Sequence, residues 1–168
     1  MKCGSLLHVG CGSDPLPCWI TAEKETRLDI NESCGPDVVA SMLDMGDVGT
    51  YDVVFCQHAL EHVFPHEVNT ALTEFNRVLK SGGFALVFVP DLEGVKPTDD
   101  VILESPAGPI TGKDMMYGYG PALADNPHMA HKTGFVKETL EAEMLKAGFT
   151  KVEATRIGNY NLMGVGIR

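Results

Sequence analysis

The sequence predicts an α/β fold, with a mostly parallel seven-stranded sheet, helices on its faces and an antiparallel strand in a C-terminal hairpin. Three observations predict it. Leu6-Leu7-His8-Val9 runs straight into Gly10-Cys11-Gly12, a buried strand ending in a tight glycine turn. Short apolar runs then alternate with stretches of helical periodicity, the pattern of strands joined by crossovers. Near the end, two alternating runs are separated only by Gly158-Asn159-Tyr160, which reads as a hairpin.

The elements follow in order. The second strand is Arg27-Leu28-Asp29-Ile30, with a carboxylate near its tip. Between it and the first strand, Pro15 to Lys24 is broken by Pro15 and Pro17 and makes at best a short helix. Asp37 to Ser41 forms a third short strand, followed by Met42-Leu43-Asp44-Met45. Tyr51 to Cys56 is nearly all apolar, as a central parallel strand should be. Pro65 then opens a helix with Val68, Ala71, Leu72, Phe75, Val78 and Leu79 on one stripe, ended by Lys80-Ser81-Gly82-Gly83. Phe84 to Val89 is the fifth strand. Val136, Leu140, Met144 and Leu145 mark a later amphipathic helix stopped by Gly148. Lys151 to Ile157 and Asn161 to Ile167 make the terminal hairpin.

The glycine turn and the acid at the tip of the second strand form the arrangement by which α/β folds hold a ribose-bearing cofactor. Glycine lets the backbone approach the ligand, and the carboxylate accepts the ribose hydroxyls. A dinucleotide fingerprint needs a third glycine, G-x-G-x-x-G. Here the turn reads Gly10-Cys11-Gly12-Ser13-Asp14-Pro15, and Asp14 would repel a pyrophosphate. A nicotinamide oxidoreductase is therefore disfavoured.

With the later segments in order, the chain resembles the class I S-adenosylmethionine-dependent methyltransferases. The resemblance is carried by G-x-G with the acid at Asp29, by YDVVFCQHALEHV (Tyr51 to Val63), and by a helix ending RVLKSGGFALVFVPD (Arg77 to Asp91). The segment His131-Lys132-Thr133-Gly134-Phe135, with Ala147-Gly148-Phe149, is similar to the helix before the family's last hairpin. The resemblance implies S-adenosyl-L-methionine as cofactor. It places His8, Gly10, Gly12, Asp29, Ile30, Leu43, Asp44, Met45, Gln57 and His58 around it. Asp29 would hold the ribose, and Asp44 would accept from the adenine amino group. One departure stands at His8, where the family usually has Asp or Glu. The implied activity is methyl transfer to a small-molecule or glycan-like acceptor. The competing reading is a methyltransferase-like binding module that keeps cofactor affinity without turnover.

Composition bounds the rest. The 168 residues suit a single domain, 1–168, with 92–132 as an inserted lid-like segment. The net charge of −10, with Lys and Arg totalling 13, argues against nucleic acid as a partner. No apolar run approaches the ~20 residues of a spanning helix, so no membrane is expected. From Met1 the chain runs directly into its first strand, and no signal peptide is expected. The five cysteines form no C-x-x-C pair, and a reduced, cytoplasmic setting is expected.

The acceptor side is less legible. His58, His62 and His66 recur every fourth residue, but Pro65 interrupts any common helix, and no metal site is expected. Leu92 to Lys132 begins at the carboxyl end of the fifth strand and is far longer than an ordinary connection. Its apolar anchors predict partial order, with one helical turn over Asp114 to Tyr117 after Thr111. Tyr117, His128 and His131 are its candidate polar groups near the acceptor, with His58 and His62 facing them. Finally, little sequence is available to cover one sheet face, backed by Leu6, Val9, Leu28, Val38 and Val53 or their neighbours. A parallel sheet needs both faces covered. A second subunit, in a homodimer, is the expected cover, with Trp19, Ile20 and loops as the alternative.

Overall fold

A computed structural model describes residues 1–168. Five strands run parallel: β1 (Lys2–Val9), β2 (Thr21–Asp29), β3 (Val38–Val39), β4 (Tyr51–Gln57) and β5 (Leu79–Pro90). Strands β6 (Val101–Ser105) and β7 (Gly108–Thr111) form a separate hairpin. Strands β8 (Lys151–Arg156) and β9 (Asn161–Ile167) complete the main sheet, whose order is β3-β2-β1-β4-β5-β9-β8. Within the main sheet only β9 runs opposite to the other six strands. The chain builds outward from β1 on one side and from β4 on the other. Their carboxyl ends therefore form the switch point where such sheets bind ligands.

Two helices, α1 (Val68–Arg77) and α4 (Lys137–Lys146), lie on the same face of the sheet. Val68, Ala71, Leu72 and Phe75 of α1 and Leu140 and Met144 of α4 share one core with Leu7, Val9, Leu28, Val54 and Val87. Gly164 of β9 permits this packing, since a Cβ there would come within 2.9 Å of Leu140 and Met144. Alternation along the strands sends Leu6, Val53, Phe55, Leu86 and Phe88 to the opposite face, where they cluster with Ile20. No helix covers that face. Trp19 stands edge-on to Phe55 at 6.3 Å and tilted over Phe88 at 6.0 Å. Leu16 packs beside them.

Several expectations are corrected. Of the five residues assigned to the bare face, only Leu6 and Val53 lie there. Val9 and Leu28 belong to the helix-covered core, and Val38 packs against it, because one step along a strand reverses the side chain. Leu6 and Val53 are already buried within one chain. Pro15 to Lys24 forms no helix, since Thr21 to Lys24 belong to β2, which pairs with β1 from Lys2 onward. The third strand shrinks to two residues. Helix α1 ends at Arg77, and Lys80 to Gly83 lie within an irregular start of β5, where Leu79 pairs with Tyr51 before the register shifts. The helical turn after Thr111 is present as α2 (Gly112–Tyr117), with Thr111 and Asp114 forming a reciprocal capping box. The insert also holds the unforeseen β6–β7 hairpin and α3 (Gly120–Asp125). All five cysteines are free. No helix is long and apolar enough to cross a membrane.

Candidate functional site

The glycine turn after β1 is held from both sides. Gly10 and Cys11 donate to the Leu28 carbonyl, and Gly12 donates to Asp29 Oδ2 at 2.8 Å. Gly10 has φ +64°, and a Cβ there would lie 2.4 Å from that of Ala59, so only glycine fits against the turn after β4. Gly12 has φ +49°, and a Cβ there would meet nothing within 4 Å. One glycine is therefore a packing requirement, and the other opens a cradle. Arg27 braces the far side, donating to the carbonyls of Gly12 and Asp14.

Asp29 ends β2 beside that cradle. Its two oxygens accept one backbone N–H each, from Gly12 and from Asn31. A carboxylate has about four acceptor positions, so it can still take two hydroxyls. Ile30, next to it, is an apolar side chain left 74% exposed. Asp44 is exposed, with Oδ1 accepting from Gly46 at 3.2 Å. A cradle, a ribose-competent acid, an uncovered apolar side chain and a second acid fit an adenosyl cofactor. Met45 and Leu43 are placed differently. Met45 is buried in the core, its N–H donating to Glu74, and Leu43 packs against the same core. His8 points to the bare face, its ring 5.1 Å from Phe55 and its Nδ1 3.2 Å from Glu25. Burial lowers its pKa, against the pull of Glu25.

The second half of the site lies beyond β4. Gln57 is exposed at the strand end, and His58 turns the chain with φ +50°. A 3-10 turn, Leu60–His62, follows. Glu61 is 1% exposed, and its Oε1 lies 3.4 Å from His58 Nδ1. Burial disfavours a charged His58, but the Glu61 carboxylate and Asn161 outweigh it and the pKa is raised. His62 and His131 face each other with ring centroids 5.2 Å apart. Burial lowers the pKa of His131, opposed by Glu61 and reinforced by the neighbouring His62 and His58. His66 is exposed and stacks on Phe64, outside the cluster.

A cleft of about 280 Å³ opens beside His58. The insert contributes Leu103, Ser105 and Met115, and the terminal hairpin contributes Asn159, Tyr160 and Asn161. The only three non-glycine residues with left-handed backbone, His58, Asn159 and Tyr160, all line it. Such strain concentrates where function fixes the backbone. Asp91, at the end of β5, secures the hairpin turn through its N–H to Tyr160 and its carboxylate to Arg156 at 2.8 Å. Of the insert's candidates, His131 reaches the cluster. Tyr117 contributes its carbonyl to His131 N–H, with its side chain 55% exposed. His128 is exposed on a 3-10 turn with its N–H on Asn126. Sequence reasoning missed Glu61 and the Asn159-Tyr160-Asn161 turn. Glu61 was legible as the acid between His58 and His62. The turn residues carried no chemical signal beyond a loop.

Residues 7–87 match the family described as methyltransferase domain, a span that includes the glycine turn, both acids and the β4 end. The likeness to a methyltransferase domain is therefore carried by this span, just under half of the chain. Solved structures share its fold. The methyltransferase SibL, in its apo form, is 20% identical over 99% of this chain, with a TM-score of 0.62. A methyltransferase from Archaeoglobus fulgidus is 14% identical over 99%, with a TM-score of 0.63 and 86% of its own length covered. The 1,6-didemethyltoxoflavin-N1-methyltransferase of Burkholderia thailandensis, solved with 1,6-didemethyltoxoflavin and S-adenosylhomocysteine, is 14% identical over 99%, with a TM-score of 0.63 and 72% of its length covered. The chain spans half the length of SibL. No curated protein matches the sequence.

Proposed function

We propose that this chain transfers the methyl group of S-adenosylmethionine to a small-molecule acceptor bound in the cleft between the β4 end, the insert and the terminal hairpin. The observation that supports this most is the junction of two halves. Ala59 closes the cofactor turn against Gly10, while its neighbour His58 lines the cleft. The Gly12 cradle, Asp29, Ile30 and Asp44 hold the cofactor. Bound there, S-adenosylmethionine supplies an activated methyl group. Proximity then supplies much of the rate, up to about 7–11 kcal/mol for well-oriented reactants. The chain's own tasks are to orient the acceptor and take its proton. His58 suits the second task, because Glu61 holds its Nδ1 and leaves Nε2 to accept.

The free cysteines favour a reduced, cytoplasmic environment. On the bare sheet face, Trp19, Phe84, Met163 and Val165 remain partly exposed around the buried centre. A second copy covers this strip in a homodimer.

The test of turnover is release of S-adenosylhomocysteine from S-adenosylmethionine in the presence of small-molecule extract fractions. Acceptor-dependent release by wild type, reduced at least about tenfold in His58→Ala with S-adenosylhomocysteine binding retained, is expected. Tight cofactor binding with no release from any fraction would instead establish the binding module.

A further inference from the structure

The cluster at the foot of the insert carries a second kind of chemistry. Glu61, His62 and His131 each offer one ligand atom, and these atoms all lie within 4.8 Å of one another. Glu61 is 1% exposed, yet its Oε2 has no hydrogen-bond partner. A buried carboxylate oxygen without a partner is costly, and native proteins rarely leave one so. His58 engages only the other oxygen, Oε1.

Both imidazoles are oriented from behind. His62 Nδ1 lies 3.1 Å from the Ala130 carbonyl and His131 Nδ1 lies 3.0 Å from the Met115 carbonyl. A carbonyl only accepts, so each Nδ1 carries the proton and each Nε2 presents a lone pair. Backbone carbonyls that fix ligand histidines in this way are the usual outer support of a metal centre. The frame is tied independently of any ion. Lys132 and Thr133 donate their N–H groups to the Glu61 carbonyl, and Thr133 Oγ1 donates to that of Val63 at 2.6 Å.

We propose that Glu61 Oε2, His62 Nε2 and His131 Nε2 bind a divalent first-row transition-metal ion, Zn²⁺ or a near neighbour, with one coordination position left open. Two imidazoles and one carboxylate favour such an ion over Mg²⁺ or Ca²⁺, which prefer all-oxygen sites. Three protein ligands are the number found where zinc keeps an exchangeable position. Zinc–ligand bonds of about 2.0–2.1 Å set the donors roughly 3.4 Å apart, so the cluster contracts by at most about 1.4 Å on binding. The proposal departs from the expectation that the chain holds no metal. The His58, His62, His66 spacing fails because His66 lies elsewhere. The third ligand arrives from His131, distant in sequence. The ion joins the insert to the sheet, and two residues lining the cleft touch its ligands: His58 lies 3.4 Å from Glu61, and the Met115 carbonyl accepts from His131.

The test uses chelator-stripped full-length protein titrated with Zn²⁺ against a chromophoric chelator, with Co²⁺ as spectroscopic probe. One equivalent per chain is expected, with a rise in Tm and no displacement by Mg²⁺. Glu61→Gln and His131→Ala should each weaken binding by about tenfold or more, and His66→Ala should leave it unchanged. If Glu61→Gln fails to fold, the part-exposed His131 still decides. Absence of a stoichiometric ion, equal affinity in the His131 variant, or a cobalt–thiolate band from the free cysteines would each overturn the proposal. S-adenosylhomocysteine binding to the stripped protein, measured separately, tests the methyl-transfer reading without reference to the metal.

Discussion

At the residue scale the two ends of the sheet do different work. At the amino ends of the strands, Asp52 accepts from the N–H and hydroxyl of Ser5 and pairs with Lys80 at 2.9 Å. These bonds, led by Lys80, hold its pKa down to about 2. A carboxylate with a lowered folded pKa adds stability that is complete above its ordinary value and lost as pH falls through the folded one. Asp52→Asn should therefore have a lower Tm than wild type at pH 7, and the gap should close as pH approaches 2. Thermal melts across that range check it, and a gap independent of pH would contradict the assignment. At the carboxyl ends the proposed task of the side chains is ligand binding instead. The juxtaposition of Gly10, Gly12 and Asp29 was legible because adjacent parallel strands bring those tips together. Glu61 was legible only as an acid between two histidines, because its approach to His131 arises on folding.

At the scale of elements, the strands and the two long helices could be read from periodicity, while the connections could not. The β2 strand begins at Thr21 because pairing with β1 overrides the weak apolar signal of Glu23, Lys24 and Glu25. The face assignment failed at Val9 and Leu28 for a related reason. A short apolar run does not show which of its alternate residues points to which side. In the insert, the Thr111 capping box was legible as a local signal, but the β6–β7 hairpin carries Pro109 and little alternation. Leu103 on β6 lines the cleft, and Tyr117 ends α2 above the His131 segment. Leu103→Ala and Tyr117→Ala should lower turnover or raise the acceptor KM while leaving S-adenosylhomocysteine affinity within about twofold. Steady-state kinetics beside calorimetry separates the two effects. Lost cofactor affinity with unaltered acceptor kinetics would move this segment to the cofactor site.

At the scale of the molecule, one sheet face holds both long helices and the other holds a single loop. Trp19 shields Phe55 and Phe88, which keeps the centre of that face dry in one chain. The strip toward β9 stays partly open, and partly exposed apolar strips mark association surfaces. Light scattering at micromolar concentration should give the mass of a dimer, and Val165→Lys should give the mass of a monomer. A monomer from wild type would show that the loop suffices.

Every proposed role follows from a cofactor placed in the pocket at the tips of β1 and β2. Isothermal titration of S-adenosylhomocysteine into the wild-type chain and into Asp29→Ala tests it most directly. Wild type should bind one equivalent. The variant should lose about 2–3 kcal/mol of binding, the worth of paired hydrogen bonds to a charged group. A folded wild type that does not bind, or an Asp29→Ala variant that binds as tightly, would contradict the account.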